Sequence, residues 1–151
     1  GYERSVIGLL WSLGVVAEIV IFLLMTRLSR RYSRQGLLAV ALGLTAIRWV
    51  LIALFADSMP VVIIAQCLHA ASFGLFHACA IHLIDHYFSA HQGRGQALYA
   101  TISFGVGGAM GSLYSGYLWD MTSPETTYLI AAVFALIGFL VSLRLIGFET
   151  K

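Results

Sequence analysis

Residues 66–88 read QCLHAASFGLFHACAIHLIDHYF. The stretch is almost wholly apolar, yet it holds Gln66, His69, His77, His82, Asp85 and His86. A helix needs about 20 such residues to cross some 30 Å of hydrocarbon. A spanning strand would need alternation over about 10 residues, and no alternation is present. Backbone groups in lipid must bond within their own element, so the stretch reads as a membrane helix. At about 100° per residue, Gln66, His69, Phe73 and His77 fall within roughly 80° of arc. His82 points nearly opposite to His69, and His86 and His91 lie at or past the end of the run. His69 and His77 are therefore the deep histidines, able to donate or accept a proton from one helix face.

The rest of the chain is built in the same way. Of its 151 residues 60% are hydrophobic and 11% charged, against about 25% charged in soluble domains. The mean hydropathy is +0.88. Five apolar runs span residues 5–26, 37–56, 60–85, 97–119 and 128–148. They predict an all-α integral membrane protein with five transmembrane helices. The connections are short. The first, RLSRRYSRQG, carries Arg27, Arg30, Arg31 and Arg34 and no acid, and the third carries Arg94. The second holds Asp57 and a helix-starting Pro60, and the fourth holds Asp120, Pro124 and Glu125. Positive charge thus alternates with its absence, which predicts the first and third connections on the cytoplasmic side. The N-terminus is then outside, and the C-terminus with Arg144 and Lys151 inside.

The basic residues sit in short loops, so the net charge of +2 is no nucleic-acid footprint. Cys67 and Cys79 would lie roughly 18 Å apart along one helix, too far for a disulfide, and read as small buried apolar residues. The chain opens on Gly1 with the flank GYERS and has an odd number of runs. It is expected to be part of a longer protein.

Two charged residues stand well inside apolar runs: Glu18 in SLGVVAEIVIF and Arg48 in LTAIRWVLIALF. Such residues face a bundle interior or a wet cavity and mark function by default. Trp11, Glu18 and Phe22 share one helix face, so aromatics would flank the carboxyl group. Glu18 is expected to alternate between a neutral acid and a carboxylate paired with Arg48, as a proton carrier must. Arg48 is alternatively a partner for a substrate carboxylate. The fourth run holds Gly105, Gly107, Gly108, Gly111 and Gly116. Its small-xxx-small spacings suit close helix packing, or a surface along which helices slide or bend. His82, Asp85 and His86 resemble the H-x-x-E-H metalloprotease pattern with Asp for Glu. A zinc site needs a third ligand, and none is apparent, so no metal and no cofactor is expected.

Other stretches resemble a known family. LSRRYSRQ, residues 28–35, resembles a worn copy of the L-x-D-R-x-G-R-R loop of the major facilitator superfamily. Arg31 and Arg34 match it; Arg30, Ser33 and Gln35 replace its aspartate, glycine and last arginine. GLLWSLGVVAEIVIF, LHAASFGLFHACAIHLI and GRGQALYATISFGVGGAMGSLYSGYLWD look like the 3-phenylpropionate transporter family, relatives of lactose permease and nucleoside–proton symporters. The resemblance covers essentially the whole chain and implies the C-terminal half of such a transporter, helices eight to twelve. It also implies that Glu18, Arg48 and His69 occupy positions similar to the glutamate, arginine and histidine of the permease's sugar and proton sites. The permease's proton-carrying glutamate, three residues after that histidine, is here Ser72.

The expected function is secondary active transport in a bacterial inner membrane. It would be proton-coupled symport of a small organic substrate such as an aromatic carboxylate, by alternating access. The alternatives are a nucleoside or sugar proton symporter and, from a different class, an intramembrane metalloenzyme on His82 and His86. The pathway residues would be Glu18, Arg48, His69 and His77, with Trp11, Gln66 and Phe73 as pocket candidates. The partners implied are substrate, proton, lipid bilayer and a missing N-terminal half. Without that half the five helices are not expected to transport.

Overall fold

The computed structural model describes residues 1–149, with side chains through Arg144. Lys151 lies outside the described residues. Five helices run in sequence: α1 Arg4–Arg31, α2 Arg34–Phe55, α3 Met59–Tyr87, α4 at residues 92–121 and α5 Pro124–Glu149. No strand occurs among the described residues. Four of the helices are long and apolar enough to cross a membrane: α1, α2, α3 and α5 through Arg144. The fourth apolar run predicts a span like these. α4 is as long, but its glycines, serines and tyrosines dilute its apolar character, and it falls outside that group.

Helix ends differ from the apolar runs for local reasons. α1 continues past residue 26 because nothing in Arg27–Arg31 breaks a helix. It closes where the Tyr32 N–H bonds the Leu28 carbonyl at 2.9 Å. Arg30 and Arg31 in the last turn complement the negative end of the helix. Ser33 then caps α2, its Oγ accepting the Gly36 N–H at 3.1 Å. The arginine loop is thereby reduced to Tyr32 and Ser33. Pro60 sits in the first turn of α3, where its missing N–H costs nothing.

Two helices are not α throughout. α3 widens into a π-helical segment at Ala70–Leu75, and α4 does so at Thr101–Val106. Such segments often accompany functional sites.

α2 is the hub. Its most extensive packing is against α5, and it also packs on α3. α1 lies along α3 and its π segment. Met25, Leu37, Ala41, Leu75 and Cys79 form a buried cluster where α1, α2 and α3 meet. Cys79 is buried as expected, but Cys67 is exposed, because it faces away from these partners. α4 is held mainly near its two ends, and residues 101–113 are exposed throughout. The large apolar side chains left exposed, among them Leu9, Leu23 and Leu113, mark surfaces that hydrocarbon or further protein must cover.

The turn from α3 into α4 depends on Gly95. A Cβ there would lie 2.7 Å from Phe88 Cγ and 2.8 Å from Ile84 Cγ2, too close to accept. Gly93, in the same turn, has nothing within 4 Å. Gly95→Ala should cost about 1–3 kcal/mol by forcing the α3–α4 turn apart. Gly93→Ala should be neutral or slightly stabilising. Thermal unfolding of the purified full-length protein in detergent checks both; equal melting temperatures for the two variants would show that this contact does not hold the turn.

Candidate functional site

The site begins where the α1 backbone draws close to α3. A Cβ on Gly74 would touch the Glu18 Cγ at 3.5 Å and its Cα at 3.7 Å. One turn away, a Cβ on Gly14 would lie 3.3 Å from both Gln66 Oε1 and His69 Cδ2. At Gly74 a Cβ would make ordinary contact, so the tighter approach is at Gly14, where a side chain would crowd Gln66 and His69.

Glu18 Oε1 lies 2.8 Å from His69 Nε2. The two side chains are 14% and 28% exposed respectively. A carboxylate in hydrocarbon is costly unless paired, and the imidazole supplies the partner. At this distance the ring nitrogen and the carboxyl oxygen share one hydrogen bond. The other ring nitrogen, His69 Nδ1, is buried with no hydrogen-bond partner among the described residues.

Arg48, only 9% exposed, comes from α2. Its Nε donates to the Ala65 carbonyl at 3.1 Å, and its Nη1 donates to Ser72 Oγ at 3.2 Å. Ser72 Oγ lies in turn 3.2 Å from the Leu68 carbonyl and 3.3 Å from the His69 carbonyl. The guanidinium carbon sits 4.6 Å from the centroid of the Trp49 ring, within cation–π range. The expected Glu18–Arg48 pair is therefore not what the structure holds: Glu18 meets His69, and Arg48 meets α3 carbonyl and hydroxyl groups. Arg48 and Glu18 both engage the same stretch of α3 from different neighbours. Two of five guanidinium N–H groups are used, which leaves donors for a carboxylate.

A file of rings continues along α3. Phe73 stacks on His69 at 5.8 Å and on His77 at 6.1 Å, with interplanar angles of 18° and 11°. From α4, Phe104 tilts against Phe73 at 6.4 Å and against His77 at 5.9 Å. Tyr99 Oη lies 3.1 Å from His77 Nδ1. The π segments of α3 and α4 thus meet through Phe73 and Phe104.

Of the candidates, the structure brings Glu18, His69, Phe73, His77 and Gln66 along one seam, with Arg48 against the same α3 segment. Trp11 is 69% exposed and stands apart from these contacts. His82 and His86 are exposed, and Asp85 accepts from Gln96 Nε2 at 2.8 Å. No group of three metal-ligating side chains occurs among the described residues. Two open grooves occur outside the Glu18–His69 contact: one of ≈ 380 Å³ beside Trp119 and Tyr128, whose ring stacks at 5.5 Å on the Trp49 ring that Arg48 covers, and one of ≈ 410 Å³ between α2 and α5.

Tyr99 and Phe104 do not stand out in the sequence. They are five residues apart, which an α-helix places on divergent faces. The i→i+5 bonding of the π segment brings them together. The five-residue spacing beside a glycine-rich run is the one signal the sequence offers for them.

The family model described as the MFS_1 like family matches residues 1–130. The chain is 33% identical over 137 residues to the "Probable 3-phenylpropionic acid transporter" of Escherichia coli (strain K12), covering 88% of this chain and 35% of that protein. It is 27% identical over 154 residues to the "Uncharacterized transporter YwbF" of Bacillus subtilis (strain 168), covering 99% of this chain and 37% of that protein. The chain spans about a third of the length of these curated relatives. No solved structure matches it significantly. A polar seam held between apolar helices is what a membrane transporter needs, and with the family match over most of its length the chain belongs to the MFS_1-like family of major facilitator transporters.

Proposed function

We propose that the chain is the C-terminal part of a proton-coupled symporter for a small organic acid carrying an aromatic ring. The observation that carries this reading is the Glu18–His69 contact at 2.8 Å inside apolar helices, beside a buried Arg48 with unused donors. The printed name of the Escherichia coli relative supports an aromatic carboxylate as substrate class. The remaining, N-terminal half of the transporter would close the other side of the cavity. The transporter would lie in the bacterial inner membrane, with the arginine-bearing connections in the cytoplasm.

The cycle follows from the groups present. Protonation of the Glu18–His69 pair from outside removes a charge from the seam. Arg48 and His69 Nδ1 then offer hydrogen-bond donors to the substrate carboxylate, while Phe73 and His77 present ring surfaces. Rocking of the two halves exposes the seam to the cytoplasm, where substrate leaves and the pair releases its proton.

In de-energised cells expressing the full-length transporter, adding an aromatic acid should make the external medium more alkaline. Nucleosides and disaccharides should not. Glu18→Gln, which keeps the hydrogen-bonding shape but holds no exchangeable charge, should cut proton-coupled uptake on the order of a hundredfold. An unchanged pH trace with every substrate class, despite confirmed insertion, would sink the symport reading.

Arg48→Lys keeps the charge but cannot reproduce the two-point donation to Ala65 and Ser72. Substrate affinity should fall about tenfold or more, whereas Ser72→Ala, which leaves the guanidinium in place, should lower it only about twofold, roughly 0.5 kcal/mol. Binding measured on purified variants separates the two, and a Lys variant with native affinity would show that Arg48 serves packing alone.

A further inference from the structure

Neither the seam nor the transport cycle uses the arginines at the α1–α2 junction. Arg27, Arg30, Arg31 and Arg34 are all exposed. The one ion pair among the described residues is the Glu18–His69 contact, so none of these four guanidiniums has an acidic partner there. The α2 first turn contains no acid. Asp85 is the one described acidic side chain at this end of the bundle, and its Oδ1 is taken by Gln96. At the opposite end Arg4 is outnumbered by Glu3, Asp57, Asp120 and Glu125.

A preference for positive loops on one side explains an excess of charge. It does not explain why three arginines crowd one helix face. Residues 27, 30 and 31 are three and four apart, so their side chains are neighbours, and like charges so placed repel. An anion lying between them removes that cost. Directly below, on the same face of α1, Leu23 is 75% exposed and Leu24 37% exposed. The surface is therefore a cationic head above an apolar stripe. Tyr32, 51% exposed, lies beside it, its ring 5.8 Å from the Arg31 guanidinium carbon. Aromatic rings of this kind settle at the level of lipid headgroups.

We propose that this face binds anionic phospholipid: Arg27, Arg30 and Arg31 take the headgroup phosphate, and the acyl chains lie along Leu23 and Leu24. Guanidinium forks match phosphate oxygens in pairs. The apolar stripe selects a lipid over free phosphate, which has nothing to place there. The inference rests on the helices being in a membrane and not on the transport reading, so either can fail alone.

The test uses the full-length transporter in nanodiscs containing trace spin-labelled phosphatidylglycerol or phosphatidylcholine. Both leaflets are then identical, so topology does not enter. The native protein should associate preferentially with phosphatidylglycerol, and molar salt should weaken the preference. Arg30→Gln with Arg31→Gln should reduce it roughly twenty-five-fold, since each guanidinium withdrawn from the phosphate weakens binding roughly fivefold. Arg30→Lys with Arg31→Lys should retain part of it, and Arg4→Gln at the other end should change nothing. Equal association of the native protein with both lipids would overturn the proposal, since another segment of the full chain would then supply the counter-charge. So would a Gln double variant that keeps the native preference while remaining folded. Displacement of the labelled lipid by millimolar inorganic phosphate would show a bare-phosphate site and remove the lipid assignment.

Discussion

A carboxyl group set inside hydrocarbon must be neutral or have a partner, and the arrangement of α1, α3 and α2 follows from the way Glu18 meets that requirement. The partner, His69, is on another helix, so the two backbones must come within side-chain reach. Gly14 eases the approach, since a Cβ there would crowd Gln66 and His69. Placing His69 there fixes the rotation of α3, which turns Ser72 and the Ala65 carbonyl toward α2. Arg48 is then buried against groups that can accept from it. The same rotation sets Phe73 and His77 in line. One desolvated acid thus determines the rotation of α3 and the partners of three helices, while the apolar cluster around Cys79 supplies packing without specifying which polar groups meet.

The two π-helical segments add a second constraint. The one in α3 lies at the middle of its helix and the one in α4 in the first half, and they meet through Phe73 and Phe104. A π turn gives up the tighter α hydrogen-bond geometry, so it holds only where side-chain contacts favour the wider winding. In α3 those contacts are the stacked rings on either side of Phe73. In α4 they are Tyr99 on His77 and Phe104 on the same ring file. A change in the ring file is therefore coupled to backbone winding in both helices.

The five helices are legible in the sequence because apolar runs of about 20 residues leave few alternatives in lipid. Their ends are less so. α1 passes its apolar limit because arginine is a good helix former and nothing stops the helix before Tyr32. Glu18, Arg48, His69 and His77 stand out individually, since a polar residue deep in an apolar run is conspicuous in any sequence. Who pairs with whom is not legible. Opposite charge suggests Arg48 for Glu18, but periodicity assigns faces within one helix and says nothing about the vertical offset between two, and the structure gives Glu18 His69 instead. Tyr99 and Phe104 are hidden for a related reason, because a 3.6-residue period cannot reveal faces created by π winding. Trp11 shares the Glu18 face but lies where no neighbouring helix covers it.

The packing of α2 against a helix made late bears on how the chain is made. Its largest interface is with α5, whose first residue emerges from the ribosome nearly 70 residues after α2 is complete. At ordinary synthesis rates this gap lasts on the order of ten seconds. Once α3 is complete, at Tyr87, α2 has α3 beside it but still lacks its principal neighbour, so the face later covered by α5 must be shielded by lipid or by the insertion machinery. Slowing translation between α3 and α5 would prolong the vulnerable interval, and quality-control proteases would then compete with the closing helix for the nascent bundle.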